Sequence, residues 1–325
     1  MELFRQILSV DSTSGREREL GEWLAAHLEA PSVEVFEVGD GTLNVLLRWG
    51  DEPRVVFCSH MDTVPPYIPP TFLEDRVCGR GACDAKGQFY AMYRACQRLA
   101  AAGRSGFALL ILSGEETGSW GAKAFARTDF RAPVLVVGEP TDNKMVSASK
   151  GTKRFDLHFT GRPFHSGYPE YGQSAVELFI DLMEALRRAD FPEDPVLGAT
   201  TWNVGKLLSD NPQNILSPSL DCNVYFRTTF ASDEAVVNWM RARRSGTLQV
   251  TEIGGDAPAR YLTLPGFPTG PVAFGSDAPH LTNFERKIIC GPGSIAVAHR
   301  DDEYLSFADL EQAINQYVSI YESCH

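Results

Sequence analysis

The chain is short of positive charge. Thirty Lys and Arg stand against 42 Asp and Glu, a net charge of −12 in 325 residues. Such a surface repels phosphate backbones and anionic headgroups, so neither a nucleic-acid nor a membrane partner is expected. Long apolar runs are also missing. No stretch of the sequence approaches the ~20 residues that cross a bilayer. The first residues, MELFRQILSVDSTSGRE, are broken by polar side chains before reaching the length of a secretory signal. The cytoplasm is the expected location. Cysteine is sparse and unpaired. The seven cysteines (58, 78, 83, 96, 222, 290 and 324) are odd in number and scattered, with no CxxC pair. They read as reduced, mostly buried thiols rather than a disulfide framework. Cys78 and Cys83 flank a Gly-rich turn, but no second pair completes a four-ligand zinc site. Internal repeats and low-complexity tracts are absent too.

What is present is ordinary globular material, 43% hydrophobic and 22% charged, enough for one large domain or two ordinary ones. Apolar runs rich in β-branched residues, at 43–47, 54–58, 108–112, 134–137 and 288–290, read as buried strands. Helical patterns lie among them at 2–8, 16–28 (after Ser14 as N-cap), 88–101 and 307–322 (after Ser306 as N-cap). Alternation of this kind predicts an α/β fold, a mainly parallel sheet with helices on both faces. The middle of the chain differs. A strand at 153–160, a helix at 175–188, strands at 200–208 and 220–228, a helix at 233–243 after Ser232, and a strand at 248–253 give the order β-α-β-β-α-β. That order predicts an inserted α+β sandwich with an antiparallel sheet. The expected division is residues 1–152 with 262–325, and 153–261 as the insert.

The chemistry sits at the strand ends. In open α/β sheets, sites form just past the carboxyl ends of strands. The 54–58 run leads to His60 and Asp62, the 108–112 run to Glu115 and Glu116, and the 134–137 run to Glu139. The run ending at Cys290 feeds a loop that contains His299. Any one of these alone is an ordinary solvated loop residue. Four directed to one edge of one sheet point to a common site. Asp84, in Gly79-Arg80-Gly81-Ala82-Cys83-Asp84-Ala85-Lys86-Gly87, has two readings: a helix N-cap, or a carboxylate whose two oxygens bridge two cations.

His60-Met61-Asp62-Thr63-Val64-Pro65, Asp84-Ala85-Lys86-Gly87, Glu115-Glu116 and Gly138-Glu139-Pro140-Thr141 together resemble the zinc-dependent aminoacylase, carboxypeptidase G and acetylornithine deacetylase superfamily. The order and approximate spacing match over the whole chain. The resemblance implies a di-zinc exopeptidase-like catalytic domain with an inserted lid and dimerisation domain. It implies two Zn²⁺, with Co²⁺ or Mn²⁺ as substitutes. One metal would take His60 and Glu139, the other Glu116 and His299, with Asp84 bridging them. Asp62 would orient His60, and the bond from Asp84 to Ala85 would be cis. Glu115 would be the general base that activates a water for attack on an amide. His165, in Gly161-Arg162-Pro163-Phe164-His165-Ser166-Gly167, would steady the oxyanion from its own or a partner's lid. Asn214 and Arg227 match lid positions that contact substrate, and an Arg fork suits a carboxylate. Gly275, Ser276 and Gly293 match substrate-side loops whose backbone N–H groups could hold an anion. Lys150 could face substrate or solvent. His280 is a candidate for the pocket wall, whereas His27, His158 and His325 read as structural or solvated.

The stretch from Gly291 to Leu305 resembles the acetylornithine deacetylase branch most closely. That implies a small N-acyl amino acid substrate, such as N-acetylornithine or N-acetylcitrulline, and a homodimer formed through the insert. Two features depart from that branch. Pro-rich residues 67–70 stand where many of its members carry a Trp-containing segment, and the chain is compact. Both are similar to the amino-group carrier-protein hydrolase that releases lysine or ornithine. A dipeptidase or carboxypeptidase of the superfamily is another reading. A catalytically dead binding module is disfavoured because every ligand position and Glu115 are retained.

Overall fold

A computed structural model describes residues 1–39 and 41–324, so His325 lies outside the described residues. The chain divides into two compact units. The first is Met1–Ser147, Tyr261–Gly270 and Ser276–His325; the second is Ala148–Arg260 and Pro271–Gly275.

The first unit is built on a six-stranded sheet in the order Ser32–Gly39, Thr42–Trp49, Phe107–Leu112, Val55–His60, Ala132–Val137 and Phe284–Ile289. The last four strands are parallel neighbours, and the first two join antiparallel at one side. The expected buried runs are all strands. The edge strand Ser32–Gly39 escapes a search for apolar runs because it alternates and keeps one face in water. Both faces of the parallel block are buried. Phe57 and Leu109 point into the core that holds the helices Lys86–Ala101 and Phe307–Ser323. Their neighbours Val56, Cys58, Ala108 and Leu110, on the opposite face, are equally closed to solvent. The mainly parallel α/β sheet with two covered faces is therefore as expected.

The helix ends show where local signals hold. Ser306 caps the last helix, its hydroxyl accepting the Asp309 N–H at 3.0 Å. Ser14 does not cap the helix Arg18–His27, which starts after Glu17 without a side-chain cap; its hydroxyl donates to Asp62 instead. Ser232 stands at the N-cap of Asp233–Arg241, yet its oxygen accepts from Thr229 N–H rather than from the helix. In the last two cases another partner wins over the cap.

The second unit has four antiparallel strands in the order Thr201–Leu208, Ser219–Thr228, Gly151–Thr160 and Leu248–Gly254. Phe155, Leu157 and Phe159 alternate onto one face, where they pack with Leu182 and Leu186 of Ala175–Arg187 and Val236 and Met240 of Asp233–Arg241. The other face carries Asp156, His158 and Asp221, with His158 Nδ1 and Asp221 Oδ1 2.8 Å apart. This is the two-layer α+β arrangement. No helix among the described residues is long and apolar enough to cross a membrane.

Candidate metal centre

The strand Val55–His60 delivers His60 to the carboxyl edge of the sheet, where the ring is buried. Its Nδ1 lies 3.0 Å from the backbone carbonyl of Asp62 and 3.3 Å from the Asp62 carboxylate. In the neutral ring, with Nδ1 as the donor, Nε2 keeps its lone pair. Nε2 faces Asp84 Oδ1 at 3.3 Å. The peptide bond from Asp84 to Ala85 is cis. Ala85 rather than Asp84 occupies the N-cap position of the next helix, so the Asp84 carboxylate is not a helix cap. Its other oxygen faces His299 Nε2, also at 3.3 Å, and that nitrogen lies 2.9 Å from Glu116 Oε1. One carboxylate thus presents an oxygen to each of two imidazoles. His299 holds a left-handed backbone, φ 64°, a conformation that non-glycine residues adopt rarely and that clusters at functional sites.

Asp62 does more than orient His60. Its Oδ1 accepts the Glu115 N–H at 3.0 Å, and its Oδ2 accepts the Glu116 N–H at 3.1 Å and the Ser14 hydroxyl at 2.9 Å. A single buried carboxylate so braces the turn that carries both glutamates. Glu116 turns toward His299, and Glu115 is left for another task.

The electrostatics is that of too many carboxyl groups. Asp84, Glu115, Glu116, Glu139 and Asp277 act on one another around His60. Burial, then the charges of Asp277, Glu116 and Asp84, hold Glu115 well above the usual carboxyl range, although His60 pulls the other way. Burial, then Glu115 and Asp84, do the same to Glu139. Burial pushes Asp277 up to about 6. For Asp84, burial opposes ionisation, but His299 and His60 overcome it and the carboxyl falls below its ordinary value. Hydrogen bonding to Asp84 and Glu116 pushes His299 up to about 10. Burial works against a proton on His60, yet Asp62 and Asp84 hold it well above the ordinary imidazole value. Protonated imidazoles balance the acids in the protein alone.

Divalent cations fit this donor set. Ligand atoms of His60, Asp84 and Glu116 lie within 4.8 Å of one another. Among the described residues, buried Glu139 Oε1 has no hydrogen-bond partner and Asp84 Oδ1 has only the His60 ring at 3.3 Å, costly states that a cation would relieve. Imidazole with carboxylate suits zinc and its neighbours. Glu139, just past the strand Ala132–Val137, stands outside the group of three but within its field.

The other positions are more dispersed. His165, Asn214, Arg227 and Gly275 belong to the second unit; Ser276 and Gly293 belong to the first. The Gly167 N–H donates to His165 Nδ1 at 3.0 Å, so a neutral ring carries its proton on Nε2, free to donate. Asn214 lies alongside, its carbonyl accepting the Ser166 N–H at 2.9 Å. Arg227 lies over the Tyr225 ring at 5.0 Å and makes no ion pair among the described residues. Lys150 is buried and spends its ammonium on the Ala199 carbonyl, so it is not a solvated lysine. Ser276 Oγ accepts the Ala278 N–H at 3.3 Å. Gly293 has φ 76°, and a Cβ there would stand 2.5 Å from Cys83 Sγ, so close passage past the Asp84 loop demands glycine. His27 stacks on Trp23 at 4.5 Å, a structural role. The parts that Ser14 and Asp277 play here leave no local signal in the sequence, because their partners lie far away along the chain.

The family model described as peptidase family M20/M25/M40 matches residues 56–323. A peptidase M20 domain-containing protein of Schizosaccharomyces pombe is 31% identical, over 97% of this chain and 82% of that one. A protein of Emericella nidulans named probable carboxypeptidase is also 31% identical, over 98% of this chain and 87% of that one. The crystal structure of a tripeptidase from Staphylococcus aureus superposes with a TM-score of 0.83 at 19% identity, covering 99% and 97% of the two chains. The last likeness speaks for the fold, and the first two speak for descent. A sequence whose strand-end histidines and carboxylates gather into a cation-ready cluster, and which matches the family along most of its length, belongs to peptidase family M20/M25/M40 and is a hydrolase of the metallopeptidase kind.

Proposed function

We propose that the chain is a two-metal exopeptidase that cleaves short peptides beside a free α-carboxylate. The unpaired guanidinium of Arg227 carries this reading. A fork with no acidic partner in its own unit is available for a substrate carboxylate, which it can bind through both oxygens. The name carboxypeptidase borne by the Emericella nidulans relative supports peptides over N-acetylornithine. The deacetylase specificity suggested by residues 291–305 has no such support.

When bound, two zinc ions would polarise the scissile carbonyl and acidify a water. His60, Asp84, Glu116, Glu139 and His299 would hold them in this reading. Glu115 takes the proton from the attacking water and gives it to the leaving nitrogen. The Nε2–H of His165 donates to the oxyanion. Arg227 holds the carboxylate end, and Asn214, Gly275, Ser276 and Gly293 are the remaining candidates for substrate contact.

The test is a comparison of matched dipeptides with free and amidated C-termini, alongside N-acetylornithine. A charged hydrogen bond supplies ~1.5–3 kcal/mol. Amidation, or Arg227→Ala on the free acid, should therefore lower kcat/KM by roughly 10–100-fold. Equal rates on acid and amide would remove the carboxylate reading, and a clear preference for N-acetylornithine would restore the deacetylase.

A homodimer through the second unit belongs to the same proposal. Ile180, Leu207 and Leu208 are exposed there, apolar side chains of the kind that a second copy would cover. Sedimentation as a single 35.8 kDa species would count against it.

A further inference from the structure

Glu303 is neither a ligand nor the base in the reading above, yet it is closed to solvent, as is its partner Arg80. Its two oxygens are both used. Oε1 accepts the backbone N–H groups of Cys83 at 2.9 Å and Asp84 at 3.0 Å. Oε2 pairs with Arg80 Nη1 at 2.8 Å. Arg80 is itself filled, with Nη1 donating to the Arg300 carbonyl at 3.0 Å and Nε to the Pro66 carbonyl at 3.3 Å. The backbone repeats the link. Gly79 N–H donates to the Glu303 carbonyl at 2.9 Å, and the strand Tyr304–Ser306 pairs antiparallel with Arg76–Cys78. Glu303 is four positions past His299. One side chain therefore ties the loop of Asp84 to the segment of His299.

We infer that Glu303 is a positioning residue for the metal centre, setting the Asp84 carboxylate between His60 and His299, and that Arg80 keeps it in place. A buried ion pair is weak evidence for stability, since an apolar pair of similar volume often serves as well. This pair differs in that its carboxylate also receives the N–H of Asp84 itself. Partners one step removed from a metal commonly set ligand orientation, and their loss costs ~10–100-fold in metal affinity. The inference rests on the reading of Asp84 and His299 as ligands.

The test separates the ion pair from the acceptor. In Arg80→Met/Glu303→Leu both charges go together, so no buried charge is orphaned, but the two N–H groups lose their oxygen. Arg80→Met/Glu303→Gln also removes both charges while keeping an amide oxygen for them. Zn²⁺ affinity is read by competition with a chromophoric chelator, and site geometry by the absorption of the Co²⁺-loaded protein. The leucine variant should bind Zn²⁺ about 10–100-fold more weakly with an altered Co²⁺ spectrum, and the glutamine variant should recover toward wild type in both. Wild-type affinity and spectrum in the leucine variant would overturn the inference. Should that variant fail to fold, Glu303→Asp keeps the charge but withdraws the oxygens by one methylene. It should also bind Zn²⁺ more weakly, and wild-type affinity there overturns the inference equally. Absence of Zn²⁺ binding by the wild-type chain would instead remove the ligand reading on which this rests.

Discussion

Glu115→Gln should leave the metal content of the protein unchanged and lower kcat by about 10²–10⁴-fold. The expectation follows from how the turn is held. Both glutamate N–H groups are spent on Asp62, at 3.0 and 3.1 Å, so the backbone does not depend on the Glu115 side chain. Glu116 is committed to His299 at 2.9 Å. Glutamine keeps the shape and volume of Glu115 but cannot take a proton from water. Burial and the neighbouring acids already hold the Glu115 carboxyl well above the usual range, the direction that suits a base working near neutrality. As the base, Glu115 must be ionised. The kcat/KM of the wild type should therefore rise with pH through its titration, and the variant should lose that limb. Metal analysis, kcat and the pH profile are the measurements. Full turnover in the variant would end the assignment, and loss of metal would make Glu115 a ligand instead.

The sequence carries the two kinds of local information that strands provide. An apolar run marks a buried strand, and the first metal-capable residue past it marks the edge. His60 and Glu139 are legible in that way; past 108–112 the rule meets Glu115 before Glu116, so it finds the pair but not which of the two ligates. Asp84 is not legible, because an Asp before a helix is also a good cap; only the resemblance favours the bridge, and the cap position belongs to Ala85. Asp62 is legible as a partner of His60, its sequence neighbour. Its larger work on Glu115, Glu116 and Ser14 depends on loops about 50 residues away in either direction. Glu303 reaches Cys83 and Asp84 across some 220 positions, and nothing in Arg300-Asp301-Asp302-Glu303 distinguishes it from a solvated acidic run. Gly293 reads as an anion-binding backbone, whereas its geometry is first a matter of clearance from Cys83. Periodicity reports which face is buried; it is silent on which long-range partner a polar group meets.

Asp84→Asn should abolish tight metal binding, and the proton balance of the wild type indicates how to measure it. In the protein alone, Asp84 and Glu116 hold His299 protonated up to about 10, whereas an unfolded imidazole titrates near ~6.5. The raised value adds stability that is complete below the unfolded value and is lost as pH rises through about 10. Metal binding needs the same nitrogen free of its proton. Zn²⁺ uptake near pH 7 should then release protons, and affinity should rise with pH across the neutral range. Calorimetry in buffers of different ionisation enthalpy counts those protons. The asparagine of the variant offers one carbonyl oxygen where Asp84 has two ionised ones, 3.3 Å from His60 and from His299. The loss of affinity should exceed the roughly 10–100-fold typical of residues that merely orient ligands. Activity should fall with it and not return when Zn²⁺ is restored to ordinary levels. Stability should follow: a site filled at 100 times its Kd contributes about 2.7 kcal/mol. A chelator should therefore lower the melting temperature of the wild type and leave that of the variant where it is. Melting of the wild type that ignores the chelator, with no protons released on adding Zn²⁺, would mean that this cluster of acids and imidazoles is not a metal site.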